Sequence, residues 1–322
     1  MSKKSTVSLT MIVKDEVDQI SEMLFNETAI TAFDKIILVV SDKPSANKLK
    51  KLFETFSSVT VKWREWTGKF DEARNYAQSL VTTDYWFWLD ADDKFDFSVI
   101  PEIVELAEQN GFDQILLPYN YAQDEQGNCV AYHWRERLMR TAHPFNWKGW
   151  VHETPISDTP FKAHKVNAPI VHINSDEHTQ ESLERNHKIL LEATAAADDP
   201  RYQLYLGTSF YSLKQYGEAV EILDKFIKVS GNVEDVYRAL LCMSECAMKI
   251  SRPSAAVQYA MQAAAQIPEY PQAYKLLAQW EAAQQNWHEA IEWVKVSESK
   301  PLPQGLGVFD PMARDDARLI LP

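Results

Sequence analysis

The sequence is short of cysteine, of positive charge and of long apolar runs, and each shortage closes off a class of protein. Three cysteines among 322 residues, Cys129, Cys242 and Cys246, make neither a disulfide framework nor a zinc signature. Cys242 and Cys246 stand four apart in a helical pattern, where small core residues are expected. The 33 Lys and Arg are outnumbered by 46 Asp and Glu, and the net charge of −13 argues against a broad basic groove for nucleic-acid backbone. A small local basic patch stays open. No apolar stretch approaches the ~20 residues that span a bilayer. The run Val7 to Val13 is broken by Ser8 and Thr10 and ends in Lys14-Asp15-Glu16 without a small-residue cleavage site, so no signal peptide is expected there. A soluble protein of the reducing cytoplasm is the expectation.

What the chain does have is a core. It is 45% hydrophobic and 11% aromatic, and its length suits two domains. Apolar runs at Val7–Val13, Lys35–Val40 and Val59–Trp63 read as strands. Between them lie helical patterns at Val17 to Phe25 and Ser45 to Phe56, and another follows at Phe70 to Leu80. That alternation predicts an open, mostly parallel α/β sheet. Ligands of such sheets sit beyond the carboxyl ends of the strands, where Asp15, Asp42 and Asp90 all fall.

The stretch from Asp84 to Asp93 carries the most information. Tyr85 to Leu89 are five consecutive aromatic or apolar residues, the mark of a short strand buried on both faces. Asp90, Asp92 and Asp93 follow at its mouth, where like charges repel unless a cation lies among them. Oxygen ligands on a short rigid element suit Mg²⁺ or Mn²⁺ shared with a substrate's phosphates. A solvated polar loop is the plainer alternative. Beyond it, the pattern predicts a helix near Ser98 to Asn110, a strand over Gln114–Pro118 and a hairpin turn over Asp124 to Asn128. A returning strand, Cys129–Arg140, carries Arg135, Arg137 and Arg140, and a short strand over Pro169–Ile173 holds His172.

From about Thr179 strands vanish. Ala219, Ala256 and Ala290 are spaced 37 and 34 residues apart, close to the 34-residue period of tetratricopeptide hairpins. Leu206-Gly207, Phe210 and Tyr216 fit the first unit, Ser244, Ala263 and Pro268 the second, and Tyr274, Leu277, Ala278 and Trp287 the third. The domains expected are 1–178, an α/β domain, 179–300, an all-α repeat domain, and 301–322, a tail or cap.

Several motifs together resemble family 2 glycosyltransferases of the GT-A fold, in particular the glycocin peptide glycosyltransferases, which also append tetratricopeptide helices. Met11-Ile12-Val13-Lys14-Asp15-Glu16 is similar to the family's MIVKNE start, with Asp15 in place of the commoner Asn. Phe70-Asp71-Glu72-Ala73-Arg74-Asn75 resembles its FxxARN segment, and Asp90-Ala91-Asp92 its DxD motif. Arg137 to Arg140 followed by Trp147 through Glu153 is similar to an RLFR…WxGxVHE block, and His172 with Glu184-Arg185-Asn186 to a downstream H…ERN pattern.

The resemblance implies a metal-dependent, inverting transfer of sugar from a nucleotide-sugar donor, most simply a UDP-sugar, with Mn²⁺ or Mg²⁺ as cofactor. It implies that Asp92 meets the metal while Asp90 faces the sugar or ribose as well as the ion. His172 fits a third ligand by position, or is a hydrogen-bonded core residue. Asp15 and Trp150 join the donor side. Asp42 would receive a uracil N–H, or is a solvated turn acid. Arg74 would pair with donor phosphate or nucleoside, or with Asp71 or another acid. Inversion needs one base, and Glu153 is the first candidate, with an aromatic surround expected to raise its pKa. His152 is the second candidate, and Trp147, Gly149 and Trp150 alternatively form only an acceptor-side wall. The acceptor expected is a peptide or protein held by the repeats, which could also pair two protomers. Modified DNA and lipid or polysaccharide acceptors stay open, as does a repeat-based adaptor without activity. A nucleotidyltransferase is disfavoured, because Lys14-Asp15-Glu16 lacks a glycine-rich loop.

Overall fold

Strand-forming runs and helical periods alternate through the first half of the chain, and the fold follows them. The architecture is that of a computed structural model, which describes residues 4–123, 126, 129–173 and 176–301. The turn expected over Asp124 to Asn128, apart from Gln126, and the tail beyond Pro301 lie outside the described residues. In order come β1 (Val7–Val13), α1 (Val17–Leu24), α2 (Glu27–Ala32), β2 (Lys35–Val40), α3 (Lys43–Leu52), β3 (Val59–Trp63), α4 (Phe70–Ser79) and β4 (Tyr85–Trp88). The six-residue α2 was not expected. Next are β5 (Asp93–Lys94), α5 (Ile100–Asn110), β6 (Gln114–Gln123), β7 (Cys129–Arg140), β8 (Asn146–Lys148), β9 (Thr154–Ile156), β10 (Ala163–Lys165) and β11 (Ile170–His172).

The strand order is β3-β2-β1-β4-β7-β6-β11-β5, with β10 also on β6, while β8 and β9 form a separate two-stranded ladder. The first four strands are parallel, and β7 returns antiparallel to β4. Strand order reverses at β1 and β4, so the crevice beyond their carboxyl ends is the place where such sheets take ligands. On β4 the period of two is fully used. Tyr85, Phe87 and Leu89 join the core shared with α1, α2, α3 and α5, whereas Trp86 and Trp88 pack on the other face with Met139, Phe145 and Trp147. All five residues from Tyr85 to Leu89 are buried, as the unbroken apolar run requires.

Two compact units result. One takes in the chain up to Asn120 with Trp134–Asn174; the other takes in Tyr121–His133 and everything from Ser175. The second unit carries α6 (Asp176–Ala196), α7 (Pro200–Ser212), α8 (Tyr216–Val229), α9 (Val233–Lys249), α10 (Pro253–Gln266), α11 (Gln272–Ala283) and α12 (Trp287–Ser299). Helices α7 to α12 form three consecutive hairpins. Each hairpin turns on one residue with positive φ: Lys214 at 61°, Ser251 at 57° and Gln285 at 63°. Each of these precedes by five residues a fully buried alanine, Ala219, Ala256 or Ala290. Gly207 shows why small residues recur, because a Cβ there would lie 2.4 Å from Leu223. Ser244 and Ala278, fully buried, occupy the same place in the next two hairpins. No helix among the described residues is long and apolar enough to cross a membrane.

Candidate active site

The loop leaving β4 turns its acids in different directions, and backbone pairing decides which. Asp93 opens β5, which pairs antiparallel with β11 so that Asp93 stands opposite His172. Ile173 N–H also donates to the Asp92 carbonyl at 2.9 Å. His172 Nδ1 thereby lies 3.6 Å from Asp92 Oδ1 and 3.5 Å from Asp93 Oδ1. Asp92, Asp93 and His172 each offer one ligand atom, all within 4.8 Å of one another. The expected set was Asp92, Asp90 and His172; Asp93 takes the place of Asp90 in this cluster. The physical reason is that Asp90 Oδ1 is engaged at 2.6 Å by Arg74 Nη2.

The electrostatics match a site short of positive charge. Desolvation, then the neighbouring Asp90 carboxylate, pushes the Asp92 carboxyl up to about 6, although its side chain is 51% exposed. Burial pulls His172 down, but Asp93, Asp92 and Asp90 outweigh it and hold the imidazole above its ordinary pKa. Asp93 is buried, and its Oδ1 makes no hydrogen bond. Two carboxylates and one imidazole, with an orphaned buried oxygen among them, fit a divalent cation.

Behind the acids lies a knot of charge around one indole. The guanidinium of Arg137 sits 3.8 Å from the Trp88 ring centre, that of Arg74 4.4 Å and that of Arg135 5.1 Å. Arg135 and Arg137 reach it together because alternate residues of β7 share a face. Arg137 is buried and donates through Nη1 to Asp93 Oδ2 at 3.2 Å and to the Trp88 carbonyl at 3.1 Å. Arg74 is also buried, and its Nε donates to Glu153 Oε1 at 3.0 Å. Burial opposes the charge on Asp90, but Arg74 and then Arg137 hold its pKa below the usual carboxylate value. Arg74 itself is held well above its ordinary value, Asp90 and Glu153 outweighing desolvation.

Helix α4 positions this arginine and, from the adjoining face, the segment that carries Glu153. Asp71, Asn75 and Gln78 recur at helical spacing and bond alternate residues of an extended strand. Gly149 N–H donates to Asp71 at 3.0 Å. The Asn75 amide donates to the Trp147 carbonyl and accepts from its N–H, both at 2.9 Å. Gln78 donates to the Phe145 carbonyl at 2.7 Å. The chain then reverses at Gly149, whose φ of 120° is left to glycine and where a Cβ would lie 3.2 Å from Glu153 Cα. His152 follows with φ 55°, a left-handed conformation that costs a non-glycine residue about 1–2 kcal/mol. It leaves Val151 and Glu153 buried and His152 exposed. Trp147 lies in the core with Trp86 and Trp88, and Lys69 Nζ sits 4.3 Å over Trp150. What the structure places against the Glu153 carboxylate is the Arg74 guanidinium.

Other expected residues fall at strand ends. Asp15, exposed, follows β1 and lies 3.7 Å from Lys14. Asp42 follows β2 and caps α3, accepting from Ser45 N–H at 2.8 Å. Bonds from Ser45 hold its carboxyl below the ordinary value. Of the residues expected at the site, Arg74, Asp90 and Glu153 form one ion-paired set and Asp92 and His172 another. Asn75 and Gln78 were not singled out for site roles, whereas Asp93 was read only as one of the acids at the strand mouth and Asp71 only as an alternative partner of Arg74. The polar stripe of α4 was readable from helical spacing; the inward turn of Asp93 was not.

Residues 8–164 match the family model described as Glycosyl transferase family 2. The SPbeta prophage-derived glycosyltransferase SunS of Bacillus subtilis (strain 168) is 24% identical over 237 residues, covering 70% of this chain and 54% of SunS. The glycosyltransferase SunS of Bacillus phage SPbeta matches to the same extent. The chain thus spans about half the length of the curated relatives it matches. Among solved structures, MamA is similar with a TM-score of 0.35 and 20% identity, over 39% of this chain and 75% of MamA. MamA from Desulfovibrio magneticus RS-1 gives 0.33 and 23%, over 37% and 67%.

Proposed function

We propose that this chain, in which residues 8–164 form a glycosyl transferase family 2 domain, transfers a sugar with inversion from a nucleotide-sugar donor, a UDP-sugar, to a peptide or protein side chain. The observation that carries this reading is the cluster of Asp92, Asp93 and His172 beyond β4, beside an Asp90 already held by Arg74. Asp92, Asp93 and His172 would hold Mn²⁺ or Mg²⁺, which would offset the charge gathering on the departing diphosphate. Asp90 faces the sugar, Asp15 and Trp150 line the donor side, and Asp42 receives the N–H of the base. Arg74 presents its guanidinium to the donor phosphates.

In the transfer, an acceptor oxygen or sulfur forms a bond to the anomeric carbon as the bond from that carbon to the diphosphate oxygen breaks. The acceptor proton goes to Glu153, whose Oε1 is held by Arg74 so that Oε2 is left to take it; His152 is the second candidate. A thiol acceptor would ask less of this base than a hydroxyl, because thiols ionise more readily. The helical unit supports a macromolecular acceptor, since stacked hairpins present extended surfaces.

The test is a binding panel of UDP, GDP, CDP and dTDP sugars, each with and without Mn²⁺, read by thermal shift and calorimetry. We expect one nucleotide to bind in a metal-dependent way and to be lost in Asp92→Ala. If no nucleotide binds in either metal state, the transferase reading is wrong, and an adaptor role through the repeats takes its place.

A further inference from the structure

One guanidinium serves both halves of the site. Arg74 bonds Asp90 through Nη2 at 2.6 Å and Glu153 through Nε at 3.0 Å, with its side chain only 5% exposed. Its remaining nitrogen, Nη1, is buried without a hydrogen bond. The two acids lie 63 residues apart in sequence, and Arg74 is the bonded link between them. A planar guanidinium can engage two acids through different nitrogens, which a lysine ammonium cannot do in the same geometry.

We propose that Arg74 is a positioning residue that couples donor binding to the acceptor-side acid Glu153. The inference rests on the donor and base assignments made above and adds a linkage between them. With no donor bound, Arg74 divides its charge between Asp90 and Glu153. An anionic donor diphosphate beside Asp90 competes for the same guanidinium, and every bond it gains weakens the hold on Glu153. Thermodynamic reciprocity makes the converse equally necessary: weakening the hold on Glu153 must strengthen the donor. The acid that receives the proton is therefore restrained until the donor is in place.

Linkage can be read from binding alone, without turnover. Calorimetric affinity for UDP with Mn²⁺ is measured in the full chain, in Glu153→Gln, in Arg74→Lys and in the double variant. Removing the Glu153 charge should tighten UDP by about fivefold or more, the lower end of common coupling between sites. In the Arg74→Lys background the same change should have less than half that effect, because an ammonium cannot span both partners. A simple field effect of Glu153 on an anion would instead persist undiminished in that background, and this result would overturn the proposal, as would an unchanged affinity in Glu153→Gln. Lysine keeps the buried positive charge, and a melting curve establishes that each variant is folded. If Arg74→Lys does not fold, Glu153→Asp, which shortens the reach to Arg74 while keeping the charge, must also tighten UDP; no change there overturns the coupling. Failure of the unaltered protein to bind any nucleotide refutes the transferase reading and this inference with it. Binding without coupling refutes the inference alone.

Discussion

The two units bury different chemistry. Among its described residues the sheet unit buries four charged side chains that form two ion pairs beside Trp88, Arg74 with Glu153 and Arg137 with Asp93. Among its described residues the helical unit fully buries no charged side chain; Ser209, Ser244, Ser297 and the Tyr237 hydroxyl are its buried polar groups, and Glu245, half-buried, is held above its ordinary pKa by desolvation. Burying an ion pair is rarely better for stability than burying apolar groups of the same size. Small residues at a fixed period, by contrast, let helices approach closely at little cost. The helical unit is organised around its packing, and the sheet unit accepts desolvated charge at one place, the place where the strand order reverses. In that physical sense the region around Trp88 is the candidate site, while the alanine-lined hairpins are held together by packing.

The contrast can be broken hardest at Arg137. Arg137→Ala removes the buried arginine partner of Asp93, and we expect a loss of about 3–5 kcal/mol in urea unfolding, the usual consequence of removing one partner of a buried pair. A loss below about 1 kcal/mol would mean that the buried charges are not coupled as described. In the helical unit the largest effect should come from packing alone. Gly207→Ala places a Cβ 2.4 Å from Leu223, so despite a gain in helix propensity of up to ~1 kcal/mol it should destabilise by about 1–3 kcal/mol. A stabilised variant would show that α7 and α8 are not closely apposed. The smallest effect belongs to an exposed pair of the same unit. Lys225→Ala removes an exposed i,i+4 bond to Glu221 and should leave the urea midpoint unchanged.

Much of the fold is written in local pattern, and much of the site is not. The runs at Val7–Val13, Lys35–Val40, Val59–Trp63 and Cys129–Arg140 became strands with the expected limits, because apolar runs and alternation are local properties. The helical hairpins kept the period of Ala219, Ala256 and Ala290, since each turn and each close approach repeats a local requirement. Short elements escaped: α2 has six residues, β5 two, and β8 to β10 three each, too few to show a period. In the run Asp90 to Asp93 nothing local tells which acid turns inward. That is settled by the pairing of β5 with β11, whose His172 comes much later in the chain. The bond from Arg74 to Glu153 spans 79 residues and is equally invisible to spacing. Individual residues such as Arg74, Asp92 and His172 were legible from motifs, and the polar face of α4 could have been read from spacing, because Asp71, Asn75 and Gln78 recur on one side of a helix that also carries Arg74.

The most direct test of the central claim is release of the nucleoside diphosphate from a panel of nucleotide sugars incubated with the purified chain and Mn²⁺. One donor, a UDP-sugar, should give metal-dependent UDP, and Asp92→Asn, which keeps the shape and removes the charge, should abolish the release. Equal release from the unaltered chain and from Asp92→Asn, or none from any donor with Mn²⁺ or Mg²⁺, would contradict it.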